Sequence, residues 1–142
     1  MHSFPTKFAA HRQRLGSVTV EMALVLPLVL LFILGLFEYG RYLMTLQLFN
    51  NAAREGARLG IVDPKDTAAI TARVDAMTGG LDKTQLTISP SCEKAGGGAV
   101  SCAAAASGDS VIVTVGYRYK MIWPLAFGNQ LNLSSTVKMR IE

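Results

Sequence analysis

Few side chains in this sequence could do chemistry, and their placement narrows what that chemistry could be. Glu21 is the single charged residue within residues 18–37, a stretch made mostly of leucine and valine. An acid in such surroundings costs roughly 2.5–3.5 kcal/mol at a membrane centre, less near an edge, and so calls for a partner. Five residues before it stands Gly16, at the end of the basic segment Arg12-Gln13-Arg14-Leu15. A glycine has no side chain, so an extended backbone there can enter a cleft closely. Cys92 and Cys102 are the only cysteines, and both lie in a Gly/Ala/Ser-rich segment. The only histidines, His2 and His11, precede the apolar stretch. Downstream there is no histidine to act as base or metal ligand, and no cysteine or carboxylate cluster at ligand spacing. No catalytic residue, metal site or cofactor is expected, and the chain is not expected to be an enzyme.

The apolar stretch is what positions Glu21. Twenty helical residues span about 30 Å, the thickness of a bilayer hydrocarbon core. A helix apolar on all sides is either buried in a large core or inserted in lipid, and this length favours lipid. Pro27 within it is tolerated in a membrane helix, although a bare anchor needs neither Pro27 nor Glu21. Lys7, Arg12 and Arg14 precede the stretch with no acid among them. That bias places the N-terminus in the cytoplasm and the remainder outside it. A cleaved secretory signal fits less well, because Glu38, Tyr39 and Arg41 stand where small residues should follow.

Charge excludes a further class. The chain has 142 residues, net charge +4 and pI near 9.3, but residues 1–16 hold most of that excess. The rest is nearly neutral, without the basic face that nucleic acid requires.

Past the stretch, Tyr39, Tyr42, Leu43, Leu46, Phe49, Ala53 and Ala57 follow one helical face. Arg41, Thr45, Arg54, Glu55 and Arg58 fall largely off it, and Glu38–Arg41 and Glu55–Arg58 form i,i+3 pairs. Residues 17–59 as one helix would measure about 65 Å. The stripe can pack on the chain's own sheet, and part of it can also meet other subunits. Tyr39 and Tyr42 suit a headgroup belt. Gly56-x-x-x-Gly60 has the spacing of a membrane dimer motif but lies outside the membrane, and Gly60 reads as a helix stop. Asp63 as N-cap and Pro64 as first helical residue open a second helix carrying Ile70, Val74, Met77 and Leu81, closed by Gly79-Gly80.

Three segments alternate with period two: 84–89, 110–120 and the region from Leu131 to Ile141, broken only at Ser135. They predict antiparallel strands with one face on a core. Outside the cytoplasm an isolated cysteine pair reads as a disulfide between Cys92 and Cys102, worth about 2.5–3 kcal/mol. Zinc binding and redox catalysis lack the ligands and the spacing. The apolar connection 121–127 reads either as a lid over the core or as a partner-contact or membrane-surface patch.

A basic leader, Gly16, four residues, Glu21 and an apolar helix together resemble the processing site of type IV pilin-like proteins. The resemblance implies that a membrane aspartic peptidase cuts between Gly16 and Ser17 on the cytoplasmic face, and that Glu21 serves assembly. The new amine at Ser17 would then meet the Glu21 carboxylate, on its own chain or a neighbour's, offsetting two costly charges. Val20-Glu21-Met22-Ala23-Leu24-Val25-Leu26-Pro27, Phe37-Glu38-Tyr39-Gly40-Arg41 and Ala52-Ala53-Arg54-Glu55-Gly56-Ala57-Arg58 are similar to the TadE-like pseudopilins of the tight-adherence (Flp) pilus. The closing segment Thr136-Val137-Lys138-Met139-Arg140-Ile141-Glu142 looks like that family's last strand. The major Flp pilin carries Glu-Tyr where this chain has Glu21-Met22, and it lacks a sizeable ectodomain. Both departures point to a minor subunit, with a TadF-like role as the neighbouring alternative.

The expected fold class is membrane-anchored α+β: a long N-terminal helix, half transmembrane and half exposed, a second short helix, and an antiparallel sheet of about three strands. The expected segments are a leader at 1–16, a transmembrane helix at 17–37, its extension at 38–60 and an extracytoplasmic domain at 61–142. The resemblance implies assembly or initiation of a pilus at the bacterial inner membrane, single-pass, with the C-terminal domain periplasmic or extracellular. Implied partners are a prepilin peptidase, the major Flp pilin, another minor pseudopilin, an inner-membrane assembly platform and the lipid bilayer. A minor pseudopilin of a type II secretion system and an uncleaved membrane-anchored envelope binding domain are the alternatives.

Overall fold

The structure is a computed structural model that describes the backbone of residues 9–122 and 130–142, and side chains from residue 16 onward within those ranges. Helix α1 spans Ala9–Val62 and runs through Pro27. Helix α2 spans Thr67–Met77. Four strands follow: β1 (Leu86–Glu93), β2 (Ala99–Val100), β3 (Ser110–Lys120) and β4 (Gln130–Arg140). All adjacent pairs are antiparallel, in the order β2-β1-β3-β4. The α+β class and its long apolar helix are as the sequence predicts. The fourth strand is the two-residue β2, too short to show an alternation.

The chain divides into two compact units, Met1–Glu38 and Tyr39–Glu142. In the first, the apolar side chains of α1 have no protein cover: Val20, Leu24, Phe32 and Phe37 are each more than 70% exposed. Residues 16 onward include a helix long and apolar enough to cross a membrane, with nothing of its most apolar window buried. Such a surface fits a single-pass membrane anchor.

The second unit is a sheet with one covered face. Val111, Val113 and Val115 of β3 are fully buried against Phe49, Ala52, Ala53 and Ala57 of α1 and Ile70 and Val74 of α2. Each large side chain so buried contributes roughly 1.5–3 kcal/mol relative to exposure. On β4, Leu131, Leu133, Ser135, Val137 and Met139 turn the same way. The register pairs Val113 with Val137 and Tyr119 with Leu131. On the opposite face the Thr114 and Thr136 hydroxyls meet at 3.1 Å.

Several boundaries differ from the sequence expectation. Gly60 does not stop α1, which continues to Val62 with Asp63 N–H donating to Leu59 O. It is a packing position instead: a Cβ there would lie 2.8 Å from Val111 Cγ1 and 3.0 Å from Ile70 Cδ1. At Gly56 a Cβ would lie 2.5 Å from Val74 Cγ2. The Gly-x-x-x-Gly spacing therefore admits α2 and β3 closely, within one domain. Asp63 accepts from Lys65 N–H in a turn, and the N-cap of α2 is Asp66, whose carboxylate accepts from Ala69 N–H at 2.8 Å. Thr78, not Met77, completes the buried face of α2, its hydroxyl donating to the Val74 and Asp75 carbonyls. Strand β1 extends to Glu93 through Pro90, which is tolerated because β1 is an edge strand until β2 joins it at Cys92. The connection 121–127 lies outside the described residues beyond Ile122.

Candidate functional site

The three residues singled out at the start of the apolar stretch all lie on α1. Ser17 and Glu21 are i,i+4, one turn apart on one face, which brings their side chains within reach. Gly16, Ser17 and Glu21 are exposed, and a Cβ on Gly16 would meet nothing within 4 Å. Residues 9–16 are helical too, so Gly16 is not presented as an extended backbone. Opening a turn there is eased by the glycine, which weakens a helix by about 1 kcal/mol relative to alanine. A chain beginning at Ser17 would place Glu21 beside the free N–H groups and positive end of its own helix, where a carboxylate is favoured.

Where the amphipathic stretch begins, side chains converge on Arg41. Its Nε donates to Tyr119 Oη at 2.9 Å, and its Nη2 donates to Lys120 O at 3.0 Å. The guanidinium carbon lies 5.1 Å from the Tyr119 ring centroid. Tyr119 meets Tyr42 edge-on at 6.1 Å, and Tyr42 stacks with Tyr39 at 6.4 Å. Beside them a cleft of about 290 Å³ opens between Arg41, Thr45, Leu81, Asp82 and Lys120. Of the residues expected off the packed face, Arg41 bonds the sheet and Thr45 is buried, its hydroxyl donating to Arg41 O.

Cys92 and Cys102 form a disulfide with a Cα separation of 5.1 Å. The Asp109 carboxylate accepts from Ala95 N–H (3.1 Å), within the segment between the cysteines, and from Ala106 N–H (3.0 Å), just beyond Cys102. Those two N–H groups, Ala106 first, hold Asp109 below the ordinary aspartate range. The Thr84 hydroxyl and N–H do the same for Asp82. Glu55 pairs with Arg73 on α2 at 2.8 Å, and the Arg73 hydrogen bond lowers its pKa, so Arg58 is not its main partner. Lys83 pairs with Asp75, and Lys138 with Glu93 at 2.9 Å. Among the described residues no three His, Cys, Asp or Glu side chains gather as a metal site would require.

Sequence reasoning did not find Arg41 with Tyr119, nor the Ser135 hydroxyl that donates to Asn50 Oδ1. The second left a trace, since Ser135 is the polar break in an otherwise apolar alternation. The first left none, because a solvated arginine and a sheet-bonded one look alike in sequence.

The family model for TadE-like proteins matches residues 16–58, which include the apolar stretch and most of the packed helical stripe. This is the family that those residues resemble. No curated protein and no solved structure matches the chain.

Proposed function

We propose that this chain is a minor pseudopilin of a tight-adherence pilus, anchored in the bacterial inner membrane by residues 17–37. A prepilin peptidase cuts it between Gly16 and Ser17, and the C-terminal domain stands outside the cytoplasm. Its work is structural: assembly or initiation of the filament with the major pilin, another minor pseudopilin and the membrane platform. One observation supports this reading above the others. The TadE-like match begins at Gly16, and Ser17 and Glu21 share one helical face at the start of an apolar helix without protein cover. An amine created at Ser17 has its counter-ion one turn away, in a setting where neither charge is tolerated alone.

A second reading has its own support. Helix α1 continues through residues 9–16, as it would in an uncleaved anchored domain. Mass spectrometry of the N-terminus of protein purified from its native membrane separates the two. The pseudopilin reading requires Ser17 as first residue, and accumulation of the uncut precursor when Gly16→Phe is introduced. An intact Met1 in the native protein, or normal processing of Gly16→Phe, overturns it.

A further inference from the structure

Strand β3 runs antiparallel to the second half of α1, and four contacts set the pairing. Val111 packs at Gly60, Val113 near Gly56, Tyr117 on Phe49 at 5.5 Å, and Tyr119 on Tyr42 at 6.1 Å. From Tyr42 to Gly60 the helix rises about 27 Å, and from Val111 to Tyr119 the strand advances about 26 Å. The two elements keep step along their whole contact, so β3 delivers its C-terminal end to the Arg41 end of the domain. Arg41 fixes it there through Tyr119 Oη and Lys120 O.

Arg41 stands only four residues past Phe37 in the chain. The headgroup layer on one side of a bilayer is about 5–8 Å thick. The residues at this end suit that layer. Lys120 is exposed, Ile122 is 60% exposed although apolar, and Tyr39, 59% exposed, brings an aromatic ring to the same level of α1. Tyrosine and lysine are the side chains that settle at such interfaces, and an exposed isoleucine gains from entering the acyl boundary. At the far end of α1, Val62 is 84% exposed, but it lies about 30 Å further along the helix.

We propose that the Arg41 end of the domain docks on an anionic lipid surface, with Lys120 meeting lipid phosphate and Ile122 entering the acyl boundary. The inference rests on residues 17–37 spanning a bilayer. Docking would hold the domain against the membrane before assembly, so that extraction of the subunit breaks this contact as well as withdrawing the helix.

The test uses the full oxidised chain, whose two native cysteines are joined, so that a fluorophore reacts only with an introduced thiol. Leu30→Cys, Ile122→Cys and Val62→Cys are labelled separately and reconstituted in vesicles of phosphatidylethanolamine and phosphatidylglycerol. Part of the lipid carries a nitroxide quencher near the top of its acyl chain or at its centre. The proposal expects Leu30 to be quenched from the chain centre, Ile122 several-fold more strongly than Val62 from the chain top, and Lys120→Glu to weaken quenching at Ile122. Loss of that Lys120→Glu effect is expected in vesicles of phosphatidylcholine alone. Quenching at Ile122 no greater than at Val62, with Leu30 quenched, overturns the docking and leaves the anchor standing. An unquenched Leu30 overturns the anchor and the docking with it. Strong quenching at Ile122 that ignores Lys120→Glu in anionic vesicles overturns the charge-based part of the contact.

Discussion

The Ser135 hydroxyl donates to Asn50 Oδ1 at 2.6 Å, joining β4 to α1 across the core face of the sheet. Ser135 is 6% exposed, whereas Asn50 is exposed. The two ends of this bond therefore differ in what they lose. Asn50→Ala strands a buried hydroxyl, at a cost of about 1–3 kcal/mol. Ser135→Ala leaves an amide that water can reach, and costs less. Thermal unfolding of the full chain in detergent should show a larger fall in Tm for Asn50→Ala than for Ser135→Ala, with the double variant close to Ser135→Ala alone. Equal, additive losses would mean the bond carries no coupling.

Gly56 and Gly40 give opposite responses to the same change. A Cβ at Gly56 meets the stiff, β-branched Val74 at 2.5 Å, while one at Gly40 meets nothing within 4 Å. Alanine improves helix propensity by about 0.8–1 kcal/mol at either position. At Gly56 the overpacking cost of about 1–3 kcal/mol exceeds or cancels that gain. Gly40→Ala should hold or raise Tm, Gly56→Ala should lower it, and Val74→Ala should recover stability in the Gly56→Ala background. A Gly56→Ala protein as stable as Gly40→Ala would mean α2 moves away freely.

The same residues show what the sequence could reveal. Strand β3 was legible to its ends because alternation over 110–120 is uninterrupted and one face is buried but for the half-buried Tyr117. The end of β1 was hidden by Pro90, which only the edge position of that strand permits. Gly60 read as a stop because sequence shows a glycine's conformational freedom and not the valine and isoleucine packed on it. In the apolar stretch and just before it, type and spacing alone single out Glu21 and Gly16 as candidates. Arg41 is not among them, since its value comes from a strand 78 residues away.

Asp109 makes stability fall with acid. Its folded pKa is depressed by two backbone donors, so its contribution is fully present above the ordinary aspartate range. The contribution is lost as pH falls through that range to the depressed folded value. Asp109→Asn removes the titration and one charge-assisted acceptor. Melting followed from neutral pH down to about 3 should show a lower Tm for Asp109→Asn at neutral pH, with the two proteins converging in acid. Parallel curves would place the acid sensitivity elsewhere, at Glu55 or Asp82.

The disulfide tests topology as well as stability. Protein from the native envelope should show no free thiol before reduction, and reduction should cost about 2.5–3 kcal/mol, with the loss confined to the 39–142 unit. Alkylation with and without reductant, read by mass, checks the first. Two reactive thiols in freshly isolated membranes would contradict placement of the domain outside the cytoplasm.

Glu21 separates cutting from assembly. On the proposed reading, Glu21→Leu should insert at least as well as the wild type, because the acid is the costly residue in the stretch. Processing should persist, since the leader, Gly16 and the helix that follows are unchanged. What fails is association. The amine at Ser17 loses the carboxylate one turn away, and a lone charge in a packed apolar bundle is heavily penalised. Glu21→Asp keeps the charge with a shorter reach and should fall between the two. The readouts are the mature N-terminus by mass, co-purification with the other pilus subunits, and pili counted on cells. Normal pili from an efficiently cut Glu21→Leu protein would rule out the pairing and leave Glu21 a tolerated acid near the membrane edge.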